Sequence, residues 1–244
     1  MLVRRCWFDL KPRFFWTVGF FLYLTAHVFF LYYKVLDWNA SGALSNFIGP
    51  VKYFATGSLK DYSFFVDQCW FHGTLVYFEF FTVVLAWGGI LVHKQKADLL
   101  MTLSLPVKRS HWLMVHGGIT ACLLFILIFV FTISVLAVSH IIGKYYPLDT
   151  ALTKALFVWL VCLPWVGLSL LANSFLNSGF KSMMVLIVVF VIVFLFRLPF
   201  SFIYHPFLNP DLQIAFSWTD LIIVIITTIG TTGLAIWKFK KTEY

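Results

Sequence analysis

Glu79 stands in the middle of an apolar run, Tyr77-Phe78-Glu79-Phe80-Phe81. A carboxylate held in hydrocarbon costs several kcal/mol unless it is paired, protonated or open to water. Two roles are consistent with such a residue. One is a polar point on a substrate path or a proton-linked site; the other is a helix–helix hydrogen bond to His72, Thr82 or a residue of another span. His27, His72, His116 and His140 also fall in or near apolar runs. A single intramembrane histidine is ordinarily a satisfied core residue. No HExxH occurs, and His111 and His116 are badly spaced for one helical face, so no metal is assigned.

Other catalytic devices are missing from the sequence. There is no GxSxG, no paired-carboxylate motif and no Gly-rich phosphate loop. Asp9, Asp98 and Glu243 are scattered. The Gly143-Lys144 pair is followed by Tyr145, and Val138 stands where a Walker A motif needs glycine. The chain therefore cannot bind ATP by that device and is not expected to be an enzyme by itself. Cys6, Cys69, Cys122 and Cys162 form no CxxC pair or ligand cluster, and buried thiols are expected rather than a disulfide framework.

The elements that carry these residues are set by composition. Of 244 residues, 61% are hydrophobic, 20% aromatic and 11% charged. A soluble domain carries roughly 25% charged residues. The 29 Phe and 10 Trp exceed what one soluble core of this length can hide. An ordinary soluble enzyme, a disordered chain and a nucleic-acid-binding domain are excluded. A polytopic, all-α membrane protein remains.

A bilayer core needs about 20 apolar residues in helix. Six spans are expected, over 14–33, 69–92, 112–142, 155–176, 182–198 and 218–237. The 20-residue first run exceeds the ~7–15 residues of a signal-peptide core and is read as a span. Between the last two spans, Arg197 precedes a stretch broken by Pro199, Pro206 and Pro210, which cannot be one straight helix. Arg197 itself either snorkels to the interface or attracts an anionic group. No long polar linker marks a second domain, so residues 1–244 are read as one membrane domain.

Lysine and arginine set the orientation. Twelve of them fall on the side of the N-terminus, the loop between spans two and three, the next loop on that side and the C-terminal tail; six fall on the other. That bias puts both termini in the cytoplasm, and an even span count agrees with their sharing a side. The net charge of +8 then reflects cytoplasmic loops rather than an acidic partner. Residues 2–12 mix Val3, Trp7, Phe8 and Leu10 with Arg4, Arg5, Asp9 and Lys11, a basic amphipathic stretch suited to a membrane interface.

The loop from His93 to His111 is the most informative segment. Leu99 and Leu103 are four apart, with Leu100 beside them, and predict a short amphipathic helix over 96–105. Pro106 ends it, and Lys108 and Arg109 mark the return to the membrane. Such a helix either rests on headgroups or docks into a groove on a cytoplasmic protein.

Asp98-Leu99-Leu100, followed by Leu103 and Leu105-Pro106-Val107-Lys108-Arg109, resembles the "LL…LPvsR" signature of type-2 ABC exporter permeases. In that family the signature also lies between spans two and three, and the length, six spans, cytoplasmic termini and basic N-terminal segment are similar. One departure stands out: the family often carries a glutamate before the leucine pair, where this chain has Lys94, Gln95 and Lys96.

The resemblance implies a coupling helix, with Ala97, Asp98, Leu99, Leu100, Leu103, Leu105, Pro106 and Arg109 receiving the stroke of a separate ATPase subunit. It also implies an N-terminal elbow helix, a re-entrant segment before the last span, and a dimer with a second copy or a paralogue. ATP and Mg would belong to the ATPase, and this chain would hold no cofactor. Spans two and five would line the interface and the path, with Glu79, Phe78, Phe81, Phe190, Phe194 and Arg197 as candidate path residues. Aromatic walls suit a hydrophobic or amphipathic cargo, such as an antimicrobial peptide or a drug-like molecule. The expected location is the plasma membrane, in contact with lipid and with no nucleic acid. The rival reading is a membrane assembly or sensor subunit that recruits a cytoplasmic partner and moves nothing.

Overall fold

The computed structural model describes residues 2–46, 50–87, 109–176, 179–196 and 218–241. These residues are almost all helical, joined by short turns and one short irregular link. In order come α1 (Leu2–Ala40), a 3-10 turn (Ala43–Asn46), α2 (Pro50–Lys60), α3 (Tyr62–Val66), a π-helical turn (Asp67–His72) and α4 (Leu75–Ala86). Then follow α5 (Arg109–Ile141), α6 (Leu148–Phe175), α7 (Gly179–Phe196) and α8 (Trp218–Lys241).

Among the described residues, five helical stretches are long and apolar enough to cross a membrane: Cys6–Ala40, Tyr62–Ala86, Leu113–Ile141, Leu148–Phe175 and Leu221–Lys238. The apolar part of α7, Lys181–Ile192, is shorter. The expected coupling helix, 96–105, and the broken stretch before α8 lie outside the described residues.

Three expected boundaries move, each for a physical reason. The N-terminal stretch 2–12 is not a separate interfacial helix, because α1 runs unbroken through Pro12. Proline there leaves the Phe8 carbonyl without its helical partner. The buried stripe nevertheless stays in phase, from Cys6 and Leu10 through Thr17, Phe21, Leu24, Val28, Tyr32 and Val35. Packing along that stripe outweighs the lost bond. The second apolar stretch starts at Tyr62 rather than 69, and the fourth at Leu148 rather than 155. Asp67 and Lys154, charges just ahead of the expected starts, fall inside the longer stretches, where the fold pairs them with each other at 2.5 Å.

The helices pack as two compact units. The first is built from Met1–Phe15, Glu79–Leu124 and Trp159–Tyr244, and the second from Trp16–Phe78 and Phe125–Val158. In the first unit, Leu85, Ala86, Leu113, Leu124, Val166, Leu170 and Ala235 form one apolar cluster, with Phe14 packed on it. Gly117 lets α5 approach α6 closely, since a Cβ there would come within 2.7 Å of Leu170 Cδ1. Gly167 does the same for α6 and α8, where a Cβ would overlap the Thr231 hydroxyl.

The second unit is held by rings. Phe21 stacks on Phe78 with centroids 4.1 Å apart, and Tyr32 packs against Phe65 at 4.9 Å and Tyr62 at 5.2 Å. Such pairs add about 0.5–1.5 kcal/mol each beyond area burial. Tyr62 and Ser139 share a buried hydrogen bond of 2.6 Å. No cysteine pairs in a disulfide; Cys6 and Cys162 are buried, but Cys122 is exposed, against expectation. It lies on the outer face of an all-round apolar helix, where a thiol meets lipid at little cost.

Candidate functional site

α4 and α6 carry the polar groups of the first unit on facing sides. On α4, Glu79, Thr82 and Ala86 recur at helical spacing; on α6, Cys162, Trp165, Ser169 and Asn173 do the same. All are buried. The two rows meet along the seam. Trp165 hydrogen-bonds the Glu79 carboxyl group, and Cys162 bonds Thr82. Toward the other end, the Asn173 side-chain amide donates to the Ala86 carbonyl at 3.2 Å. The outer contacts, Glu79 with Trp165 and Ala86 with Asn173, follow the same chain direction, so α4 and α6 run parallel here.

The Ala86 carbonyl belongs to the last turn of α4 and has no helical donor of its own. Asn173 supplies one, and its own side-chain oxygen accepts from Ser182 Oγ of α7 at 2.7 Å. His116 of α5 is buried close to the same carbonyl. At this end Arg13 lies over the Trp87 ring, 4.8 Å from its centroid, and Lys238 lies over Phe175 at 5.2 Å. Trp159 ties α6 to α5 by donating to the Ala121 carbonyl at 3.0 Å.

Glu79 is therefore the one acidic group within this seam, faced by an indole N–H and by neutral side chains. A ring series leads away from it. Trp165 packs on Phe190 (5.3 Å), Phe190 on Phe80 (6.0 Å) and Phe80 on Phe81 (5.6 Å). Of the expected path residues, Glu79, Phe81 and Phe190 thus share the first unit. Phe78 is a core ring of the second unit, 2% exposed. Phe194 falls in the last turn of α7, but its side chain lies outside the described residues, as does Arg197. Ala97, Asp98, Leu99, Leu100, Leu103, Leu105 and Pro106 lie outside them too, and Arg109 opens α5.

The second unit holds a charged cluster that sequence reading missed. Asp67 accepts from Lys154 Nζ and from Tyr146 Oη, each at 2.5 Å, and Lys154 also reaches Tyr146 Oη at 3.2 Å. Lys154 lies 5.8 Å from the Phe71 and Tyr146 ring centroids. Burial, and then the bond to the Asp67 carboxylate, push the Tyr146 phenol above its ordinary value of 10.0. Asp67 opens the π-helical turn, a wide turn that often marks functional positions.

One signal could have revealed the seam. Ser169 and Asn173 are four apart within an apolar run, a polar stripe at helical spacing. Nothing local links Asp67 to Lys154. Among the described residues no group of three or more His, Cys, Asp or Glu could hold a metal ion. Comparison with protein-family models, curated proteins and solved structures gave no match.

Proposed function

We propose that this chain is the membrane-spanning permease subunit of an ATP-driven exporter. It would work as a dimer, with a separate ABC ATPase bound at the loop between α4 and α5. The observation that carries the reading is that loop's sequence. Asp98-Leu99-Leu100 and Leu105-Pro106-Val107-Lys108-Arg109 stand between two long apolar helices, where a cytoplasmic motor can grip.

Helix direction supports six crossings with both termini on one side. The apolar cluster of the first unit gathers Phe14 of α1, the last turn of α4, the first turns of α5, the last turns of α6 and Ala235 near the end of α8. After α6 ends at this cluster, the chain must cross away before α8 can return to it. α7 is the helix available. Its 18 residues span ~27 Å, close to a bilayer core of about 30 Å. The basic residues near this cluster, Arg13 and Lys238, fit the cytoplasmic face of the plasma membrane.

In this reading ATP binding and hydrolysis favour one state of the dimer over the other by differential affinity. The cargo class is hydrophobic or amphipathic, such as an antimicrobial peptide, because the walls near Glu79 are aromatic rings. The test is co-purification of the full chain with an ABC ATPase encoded beside it. Leu99→Asp and Leu103→Asp are expected to abolish that binding while the chain still inserts. Binding that survives both changes removes the coupling assignment. ATP hydrolysis that no cargo stimulates favours the recruiting subunit that moves nothing.

A further inference from the structure

The α4–α6 seam holds a buried acid with no counter-charge among the described residues. Glu79 is 8% exposed, and no lysine, arginine or histidine forms an ion pair with it among the described residues. Its hydrogen-bond partner, Trp165, is a neutral donor. A bare carboxylate at this depth is costly, and with no cation to offset it the simplest neutraliser is a proton.

A second observation points to the same place. Ser169 is fully buried, and its hydroxyl has no hydrogen-bond partner among the described residues. Most buried hydroxyls here bond back to their own helix, as Thr120 does to His116 and Thr132 to Ile128. Ser169 departs from that habit. It lies one helical turn from Trp165 on one side and from Asn173 on the other, two of the α6 residues that bond α4. It therefore sits between the two rungs of the seam. Bonded to neither Glu79 nor any other described group, this hydroxyl is left to serve a proton carrier on its way to the acid.

We propose that Glu79 is a proton-binding site in the first unit, taking up and releasing the proton, with Ser169, one turn of α6 beyond Trp165, on the proton's route to it. One proton adds to a carboxylate oxygen, and no other bond changes. Cys162 on α6 is the titratable group electrostatically coupled to Glu79. Against Trp165, α4 brings Val83 and α7 brings Leu186 and Phe190, all apolar. One turn beyond Ser169, Asn173 bonds Ser182, next to the exposed Lys181, and in this proposal protons enter from that end. The site stands whether or not an ATPase drives the chain.

Dicyclohexylcarbodiimide, which attacks protonated carboxyl groups in apolar surroundings, tests this on the full chain in membranes. Mass spectrometry is expected to find the adduct on Glu79, with labelling falling about tenfold per pH unit above its midpoint. Glu79→Gln removes the adduct, and Ser169→Ala slows labelling several-fold. An infrared carboxylic C=O stretch at neutral pH, lost in Glu79→Gln, is the matching signature in unmodified protein. No adduct at any pH, with no such band, overturns the proposal. Labelling that sodium suppresses and pH does not change overturns it too, since the site would then take a metal cation. Unchanged labelling in Ser169→Ala removes Ser169 from the route.

Discussion

Asp67 and Glu79 lie close together in sequence, yet the two units treat them in opposite ways. In the second unit Asp67 meets a lysine and a phenol, with side chains still partly open to solvent. In the first unit Glu79 is buried beside an indole and a thiol. The Asp67 cluster satisfies charge with charge and acts as a fastening between the π-helical turn and α6. Among the described residues the Glu79 seam offers no cation, so the proposed neutraliser there is a proton. Removing a partner should damage the first arrangement's stability and the second arrangement's function.

The largest stability effect is expected at Asp67. Asp67→Ala leaves Lys154 and Tyr146 without their acceptor. A fully buried pair would lose 3–5 kcal/mol on such truncation; partial exposure reduces this to about 2–3 kcal/mol. Thermal unfolding in detergent measures it, and a loss near zero would erase the contrast between the units. Next comes Asn173→Ala, which strips the Ala86 carbonyl and Ser182 of their shared partner and should cost about 1–2 kcal/mol.

Tyr146→Phe sharpens the comparison through pH. Loss of its bond to Asp67 should cost about 1 kcal/mol at neutral pH. Folding holds the phenol proton more tightly than the unfolded chain does. The stabilisation from Tyr146 is therefore complete below the unfolded phenol range. It is lost as pH rises above about 10, toward the folded value. Wild-type unfolding midpoints should fall more steeply in that alkaline range than those of Tyr146→Phe. Equal slopes would mean that Tyr146 titrates alike in both states.

The smallest stability change belongs to Glu79→Gln. Glutamine keeps an acceptor for the Trp165 N–H, so a shift within about 0.5 kcal/mol is expected. Transport, in contrast, should drop. A vesicle assay giving wild-type flux in this variant would reduce Glu79 to a structural hydrogen bond.

Particular residues show why some of this was readable in advance. Glu79 stood out because one carboxylate interrupts a run of rings, and that contrast is visible within a few residues. The third apolar helix also matched closely, since nothing but chain composition limits it. Asp67 and Lys154 lie just ahead of the expected span starts, and nothing local shows that the two charges pair inside the longer stretches. Pro12 suggested a break that α1 does not make, since a continuous buried stripe carries the helix through. Trp165, Ser169 and Asn173 drew no notice, because tryptophan, serine and asparagine within apolar runs have no local meaning without the helix they face.

The amino-acid order alone determined that this is a membrane protein built of helices, roughly where most of them lie, and which loops are basic. Those properties depend on hydrophobic length and charge within windows of a few turns. Only the tertiary structure decided which acid is paired and which is not. Both Asp67–Lys154 and Asn173–Ala86 join residues 87 positions apart, and no local rule specifies which faces of distant helices meet.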